Sequence, residues 1–167
     1  MKIISTALNC TLLTVSDTRT ADNDTSGNYL ATALATAGHQ LADRKICQDN
    51  RYIIRAIASQ WIAQPAIQVI LITGGTGFAQ RDVTPEAVRP LFDKDIPGFG
   101  ELFRHISFAE IGSSTVQSRA LAGWANNTLI FCLPGSTHAC ETAWQHIIAS
   151  QLDEQTKPCN FVKLLVS

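Results

Sequence analysis

The stretch Ile67 to Glu86, IQVILITGGTGFAQRDVTPE, constrains the fold more than any other part of the chain. Its first residues, Ile67–Ile72, form an almost unbroken apolar run rich in β-branched side chains, which is typical of a strand covered on both faces. The run ends in Thr73-Gly74-Gly75-Thr76-Gly77, which is too rich in glycine to continue a strand. Thr84-Pro85-Glu86 then predicts a helix start, with Thr84 as the N-cap and Pro85 as the first helical residue. A strand, a tight turn and a helix in this order indicate an α/β protein.

The glycine-rich turn is also a candidate ligand site. Glycine allows positive φ angles and lets a ligand approach the main chain closely. The carboxylate of Asp82 follows the turn, and a helix N-terminus follows Asp82, an order that suits a phosphate-bearing ligand. The turn is not a P-loop, because no Lys follows it, and Gln80 stands where the GxGxxG motif requires glycine. A tight strand-to-helix connection without a ligand explains the same local pattern.

The composition indicates one globular domain over residues 1–167. Hydrophobic residues make up 46% of the chain and charged residues 16%, which excludes a disordered protein. The low charged fraction favours an oligomer in which part of the surface is covered. The formal net charge is -1 and there is no basic block, so nucleic acid is disfavoured as a partner.

The cysteines and the N-terminus indicate a cytoplasmic protein. The five cysteines are widely spaced and contain no CxxC pair, so we expect them to be reduced, and those in apolar runs to be buried. Asn9 and several threonines interrupt Met1–Val15, which favours a leading strand over a secretory signal. No apolar run approaches the length that spans a bilayer, so we expect no membrane association.

Other apolar patterns predict the remaining elements. Gly38 is a natural end for the helix that carries Leu30 and Leu34. Gln117–Trp124 is predicted to be a short helix, and Phe161–Val166 an edge strand. The other predicted elements are strands at Cys10–Val15, Leu41–Cys47 and Thr128–Leu133, a helix at Arg51–Ala63 with Ile53, Ile54, Ile57 and Trp61 on one face, and a helix after Ser136 with Cys140, Trp144, Ile147 and Ile148 on one stripe.

Strands alternating with helices predict a mostly parallel sheet with helices on both faces. Its ligand site should lie at the carboxyl ends of the strands, where Asp17, Gly74–Asp82 and Pro134–Ser136 converge. Taken singly, Asp17 could form a surface ion pair with Arg19, and Pro134–Ser136 could be a plain N-capped turn. Their convergence favours a ligand site.

Asp49 has two explanations in the sequence alone. It precedes the predicted helix at Arg51–Ala63 and is therefore a candidate capping residue. Its carboxylate is also the kind of ligand that holds Mg²⁺ beside phosphates.

These motifs resemble the MoaB/MogA family of molybdenum cofactor biosynthesis proteins, which is related to the G domain of gephyrin. The most specific element is the pair Thr73–Gly77 and Asp82-Val83-Thr84-Pro85-Glu86. Ser16-Asp17-Thr18, Ser118-Arg119-Ala120 and Pro134-Gly135-Ser136 reinforce it. The resemblance covers most of the chain, from Leu12 to the tail, and three further segments favour the MoaB branch over MogA: Asp24-Thr25-Ser26-Gly27, Gly98-Phe99-Gly100-Glu101 and Pro134 to Thr137.

The resemblance implies a three-layer α/β/α sandwich assembled as a homo-oligomer, either a trimer or a hexamer. It implies adenylylation of molybdopterin, in which AMP passes from Mg-ATP to the terminal phosphate of molybdopterin and pyrophosphate is released. A paralogue that binds molybdopterin without turnover is the alternative. Carried onto this chain, Asp49 and Asp82 match the essential carboxylates that handle Mg²⁺ and the nucleotide. The residues implied to bind the nucleotide or the substrate are Ser16, Asp17, Gly74, Gly75, Thr76, Gly77, Ser118, Gly135 and Ser136.

Overall fold

A computed structural model of the chain describes residues 6–167 and contains one six-stranded sheet. The strand order is β2-β1-β3-β6-β5-β4; β1, β2, β3 and β6 run parallel, whereas β4 and β5 are antiparallel to their neighbours. The strands are β1 (Asn9–Val15), β2 (Gln40–Cys47), β3 (Val69–Thr73), β4 (Lys94–Asp95), β5 (Leu121–Ala125) and β6 (Thr128–Leu133).

The helices alternate with the strands through most of the chain. A 3₁₀ turn follows α3 at Arg89–Leu91 and another follows α4 at Gly112–Gln117, while a π-helical turn at Trp144–Ile148 lies between α5 and α6. The α-helices are α1 (Thr25–Thr36), α2 (Arg51–Ile62), α3 (Thr84–Val88), α4 (Pro97–Ile111), α5 (Thr137–Ala143), α6 (Ala149–Gln151) and α7 (Val162–Leu165).

Successive strand residues point into two separate apolar cores, one on each face of the sheet. Along β3, Leu71 packs with the core formed by α1, α4 and α5, whereas Ile70 and Ile72 pack with the core formed by α2 and α3. Both cores require apolar side chains, so the central strand is apolar throughout rather than alternating. This confirms the predicted α/β/α sandwich with a mostly parallel sheet.

The carboxyl ends of the three central strands lie level with one another. Thr14 of β1 pairs with Thr73 of β3, and Thr73 pairs with Leu133 of β6. The chain first leaves β1 toward β2 and then returns to β3 on the other side of β1. This reversal of direction opens a crevice at the strand ends, which is where α/β sheets bind ligands.

The helix predicted at Gln117–Trp124 is wrong, because Leu121–Ala125 is strand β5. Asn126 and Asn127 adopt φ angles of 48° and 59° and form the two-residue connection to β6 that the twist of a hairpin requires. Gly123 is needed in the strand, since a Cβ there would lie 2.2 Å from the ring of Phe92. The hairpin therefore overrides the helical pattern.

Three further expectations need correction or restriction. The edge strand predicted at Phe161–Val166 is wrong, because Val162–Leu165 forms the short helix α7. On α2, Ile53 is 40% exposed while Ala58 is buried, so the buried face is rotated around the helix from the predicted one. The leading strand begins at Asn9, and the first five residues of Met1–Val15 lie outside the described part.

The cysteines are free thiols, as expected, and four of them are buried: Cys10, Cys47, Cys132 and Cys140. Burial raises the pKa of Cys10 and Cys132 to about 12, so these thiols are small core hydrophobes rather than nucleophiles. Within residues 6–167, no helix is both long enough and apolar enough to cross a membrane.

Candidate functional site

The glycine turn after β3 forms a bend whose backbone only glycine adopts easily. Gly74 has a φ angle of 104° and Gly75 one of 68°. The amide of Gly74 still belongs to the sheet, since it donates to the Leu133 carbonyl at 3.0 Å. We call residues 74–77 the glycine bend.

Thr84 fixes the glycine bend to α3, but not as the predicted N-cap. The capping position is Val83, which makes no side-chain cap, and Thr84 is the first helical residue. Its hydroxyl donates to the Gly74 carbonyl at 2.8 Å, and its amide donates to the Gly75 carbonyl at 3.0 Å. The Thr84 hydroxyl therefore stabilises the turn after β3 and does not cap α3.

The Asp82 carboxylate faces the glycine bend. Its Oδ2 lies 2.8 Å from the point where a Cβ of Gly77 would stand, so a side chain at position 77 would displace the carboxylate. The same oxygen accepts from the Ala79 amide at 2.8 Å, which holds the carboxylate in this direction.

Asp49 lies on the other side of the bend, beside Gly75. Its Oδ1 is 3.0 Å from the point where a Cβ of Gly75 would stand. It does not cap α2, because Asn50 accepts from the amides of Tyr52 and Ile53. The capping explanation for Asp49 is therefore wrong, and its carboxylate is left to line the bend.

Negative charge accumulates around Asp49. Burial, and then the charges of Asp17 and Asp82, raise the pKa of Asp49, while the Arg81 guanidinium partly offsets them. Within residues 6–167, no three His, Cys, Asp or Glu side chains converge closely enough to hold a metal ion by themselves. A cation here would need further oxygens from phosphate and water, which is how Mg²⁺ is usually bound.

Replacing Asp49 by Asn should stabilise the metal-free protein at pH 7. The raised pKa means that the ionised carboxylate is penalised in the folded state. We therefore expect a melting temperature about 2 °C higher in EDTA, the size of effect that relief of charge repulsion gives. The difference should shrink as the pH falls below the raised pKa of Asp49, where the folded wild type takes up a proton, and should be lost below the ordinary carboxyl pKa, where the unfolded chain is protonated as well.

The matched control is Asp22→Asn, which removes one exposed carboxylate from the polar loop before α1. We expect it to leave the melting temperature unchanged at both ends of the pH range. Equal melting curves for Asp49→Asn and the wild type at pH 7 would contradict the predicted repulsion.

Asp17 and Ser16 support the rim of the site from the end of β1. Asp17 accepts from the Asp49 amide at 3.2 Å and forms an ion pair with Arg81, not with Arg19 as one alternative held. The Ser16 hydroxyl accepts from the amides of Thr18 and Arg19, at 3.2 and 3.1 Å. Both side chains thus order the loop that follows β1.

The second turn, after β6, packs directly on the first. A Cβ on Gly135 would lie 3.4 Å from the Gly74 Cα, so the two turns approach through glycine. Ser136 caps α5 by accepting from the Ala139 amide at 3.2 Å. The plain N-cap is therefore present, and it places Gly135 and Ser136 beside the bend.

A cleft of about 490 Å³ joins these parts. Asp17 is not among its lining residues; the other ten predicted residues line it: Ser16, Asp49, Gly74, Gly75, Thr76, Gly77, Asp82, Ser118, Gly135 and Ser136. Ser118 is notable because its hydroxyl oxygen is buried and has no hydrogen-bond partner within residues 6–167. A buried hydroxyl of this kind calls for a ligand or a water molecule.

The sequence did not identify the wall opposite the bend. Glu110, at the end of α4, accepts from the Thr142 hydroxyl at 3.1 Å and lies 3.0 Å from His138 Nε2. Both Glu110 and His138 line the cleft. Only the packing of α4 against α5 brings them together, so no local pattern could reveal this wall.

The amides of the bend are not used inside the described part of the chain. Between residues 6 and 167, no hydrogen bond is donated by the main-chain N–H of Gly75, Thr76 or Gly77. The Gly74 amide before them and the Ala79 amide after them both donate. Consecutive free amides between two carboxylates are chemically suited to phosphate oxygens that a cation accompanies.

Comparison with known proteins finds relatives along most of the chain. The family model described as "Probable molybdopterin binding domain" matches residues 11–154. Molybdenum cofactor biosynthesis protein B of Escherichia coli K12 is 59% identical over 150 residues, covering 90% of this chain and 88% of the relative.

Solved structures show the same fold. A crystal structure of a molybdenum cofactor biosynthesis protein B superposes with a TM-score of 0.88 at 38% identity, over 97% of this chain and 98% of the other. The Mog protein of Mycobacterium ulcerans gives a TM-score of 0.75 at 28% identity, over 83% of this chain and 88% of the other. The greater similarity to protein B confirms the expected branch.

Proposed function

The chain belongs to the family of probable molybdopterin binding domains, as a homologue of molybdenum cofactor biosynthesis protein B, and from this we propose that it adenylylates molybdopterin with Mg-ATP. The reaction joins a terminal phosphate oxygen of molybdopterin to the α-phosphorus of ATP. The bond from that phosphorus to the bridging oxygen of the β-phosphate breaks, and pyrophosphate leaves with the electron pair.

The observation that carries this proposal is the row of free amides at Gly75, Thr76 and Gly77. A row of N–H groups at the end of a buried strand supplies fixed partial positive charge without any reorganisation. It matches a chain of phosphates better than it matches a neutral ligand. We therefore assign the glycine bend as the part of the cleft that binds the phosphates of ATP.

The two carboxylates beside the bend suit a hard cation. Asp49 and Asp82 approach the bend at Gly75 and Gly77, and both present oxygen, which Mg²⁺ prefers. Burial, and then the charges of Asp17 and Asp82, raise the pKa of Asp49, and a cation would relieve the part that comes from negative charge. When bound, Mg²⁺ would neutralise charge on the phosphates during transfer.

The remaining residues bind and orient rather than exchange protons. The attacking atom is already a phosphate oxygen, so the reaction needs no strong general base. Positioning and electrostatic stabilisation supply most of the effect in such transfers. The unpartnered Ser118 hydroxyl is assigned to molybdopterin, and 490 Å³ lies within the range of small-molecule sites.

The homo-oligomer, as a trimer or a hexamer, is part of the proposal. Large apolar side chains at and beyond the end of α4 are exposed, with Phe108 at 61%, Ile111 at 50% and Val116 at 75%. Apolar surface of this kind is usually covered by a partner. Cover by neighbouring copies would also account for the low charged fraction of the chain.

A turnover assay on the purified chain tests the function. We expect pyrophosphate to appear only when Mg²⁺, ATP and molybdopterin are all present, together with one adenylylated molybdopterin for each pyrophosphate. The inorganic product and the pterin product should be measured separately, so that simple ATP hydrolysis is recognised. Tight retention of molybdopterin with no pyrophosphate would replace the enzyme with a binding or assembly protein.

A further inference from the structure

One side chain, that of Arg119, closes the loop that joins the glycine bend to α3. Its Nε donates to the Gly77 carbonyl at 2.9 Å, where the loop begins, and its Nη2 donates to the Asp82 carbonyl at 2.8 Å, where the loop ends. Its main-chain amide donates to the Thr76 carbonyl at 3.0 Å. Arg119 therefore holds both ends of the loop at a fixed separation.

The loop is also restrained by the exposed ion pair of Arg81 with Asp17 and, at its α3 end, by the hydrogen bonds from Thr84 to the bend. Residues 78–81 are exposed, and the ring of Phe78 is 68% exposed, 5.1 Å from the guanidinium carbon of Arg119. Inside the loop, Ala79 and Asp82 form a small turn, in which the Asp82 amide donates to the Ala79 carbonyl at 2.9 Å. This turn directs the Asp82 carboxylate relative to the loop, but it does not fix the loop relative to the bend.

The guanidinium is itself held from α3. Its Nη1 pairs with the carboxylate of Glu86. Burial opposes ionisation of Glu86, but the hydrogen bond and charge of Arg119, together with a backbone hydrogen bond and the charge of Arg51, outweigh it and lower the pKa of Glu86. The charged pair is therefore retained at neutral pH, and the fork of N–H groups points at both carbonyls in a fixed plane.

We infer that Arg119 is a positioning residue, which acts by holding the Asp82 carboxylate against the glycine bend. This inference rests on the proposed function for its catalytic consequence, but not for its structural one. A fixed fork is required, because the two carbonyls belong to different ends of the loop. Lysine has a single point charge on a flexible stem and cannot hold both.

Arg119→Ala should loosen the loop without unfolding the sheet. We expect faster hydrogen exchange at the amides of Ala79 and Asp82, measured by mass spectrometry on the protein without ligands. We also expect kcat for AMP transfer to fall by about one order of magnitude or more, with a smaller change in the KM for Mg-ATP, because positioning is lost while the phosphate seat stays. Arg119→Lys should restore neither property.

Arg55→Ala is the matched control. Arg55 donates to two backbone carbonyls with the same geometry, to Ala87 at 2.9 Å and to Glu86 at 2.8 Å, but these belong to α3. We expect a comparable loss of thermal stability, with unchanged exchange at Ala79 and Asp82 and unchanged kcat.

The two readouts separate the possible failures. If the wild type transfers no AMP, the proposed function fails, and the exchange measurement alone still decides the role of Arg119. Unchanged exchange in Arg119→Ala overturns the inference, whatever the activity. Full recovery of exchange and kcat in Arg119→Lys also overturns it, because charge rather than the fork would then suffice.

Discussion

Replacing Asp82 by Asn should reduce kcat for AMP transfer by at least about 10²-fold while leaving the fold and molybdopterin binding intact. Asn keeps an oxygen that can accept from the Ala79 amide, so the turn that directs the side chain should survive. Only the negative charge beside the bend is lost. The Mg²⁺ concentration that gives half-maximal rate should rise as well, because one of the two proposed carboxylate ligands is missing.

The measurement is single-turnover transfer at saturating ATP, with circular dichroism and pterin binding as checks on the fold. Asp22→Asn removes an exposed carboxylate outside the cleft and should transfer AMP at the wild-type rate. Asp82→Ala removes both the charge and the acceptor, so it should be at least as slow and should also free the Ala79 amide. Transfer at the wild-type rate in Asp82→Asn would show that the catalytic assignment is wrong.

The central strands could be predicted because burial on both faces requires an apolar run in the sequence. Val69–Thr73 and Thr128–Leu133 are buried at every position, and a strand between two layers of helices must be apolar on both faces. Leu121–Ala125 gave no such signal. It is rich in small residues, and its strand conformation comes from the hairpin turn at Asn126–Asn127 and from pairing with its neighbours.

The candidate site also has parts that the sequence could predict and parts that it could not. The glycine bend and Asp82 are close in sequence, so local chemistry was enough to place them together, and the carboxylate does face the bend. The prediction that Thr84 is the N-cap was wrong, because a hydroxyl at a helix start can form its hydrogen bond either with the helix or with the preceding turn. Arg119 reaches Asp82 from 37 residues away, and only tertiary packing supplies that contact.

Gly74→Ala should destabilise the protein by more than about 4 kcal/mol, which is exceptional for one methyl group. The added Cβ would lie 2.1 Å from the Val15 carbonyl oxygen, an atom of the neighbouring strand that cannot move alone. In addition, the φ angle of 104° is one that L-residues rarely adopt. The free energy of unfolding, measured in urea, should therefore be lower than that of the wild type, because the added methyl group forces the ends of β1 and β3 apart.

Two other glycines separate these causes. Gly112 has φ and ψ angles of 61° and -143° but open space around its Cβ position, so Gly112→Ala isolates the conformational cost, which we expect to be about 1–3 kcal/mol. Gly98 lies in α4 with open space and no positive φ angle, so Gly98→Ala should be neutral or stabilising by up to about 1 kcal/mol. If Gly74→Ala costs no more than Gly112→Ala, then β1 and β3 have room to separate at their ends. The close approach that forms the crevice would then not be a requirement of the fold.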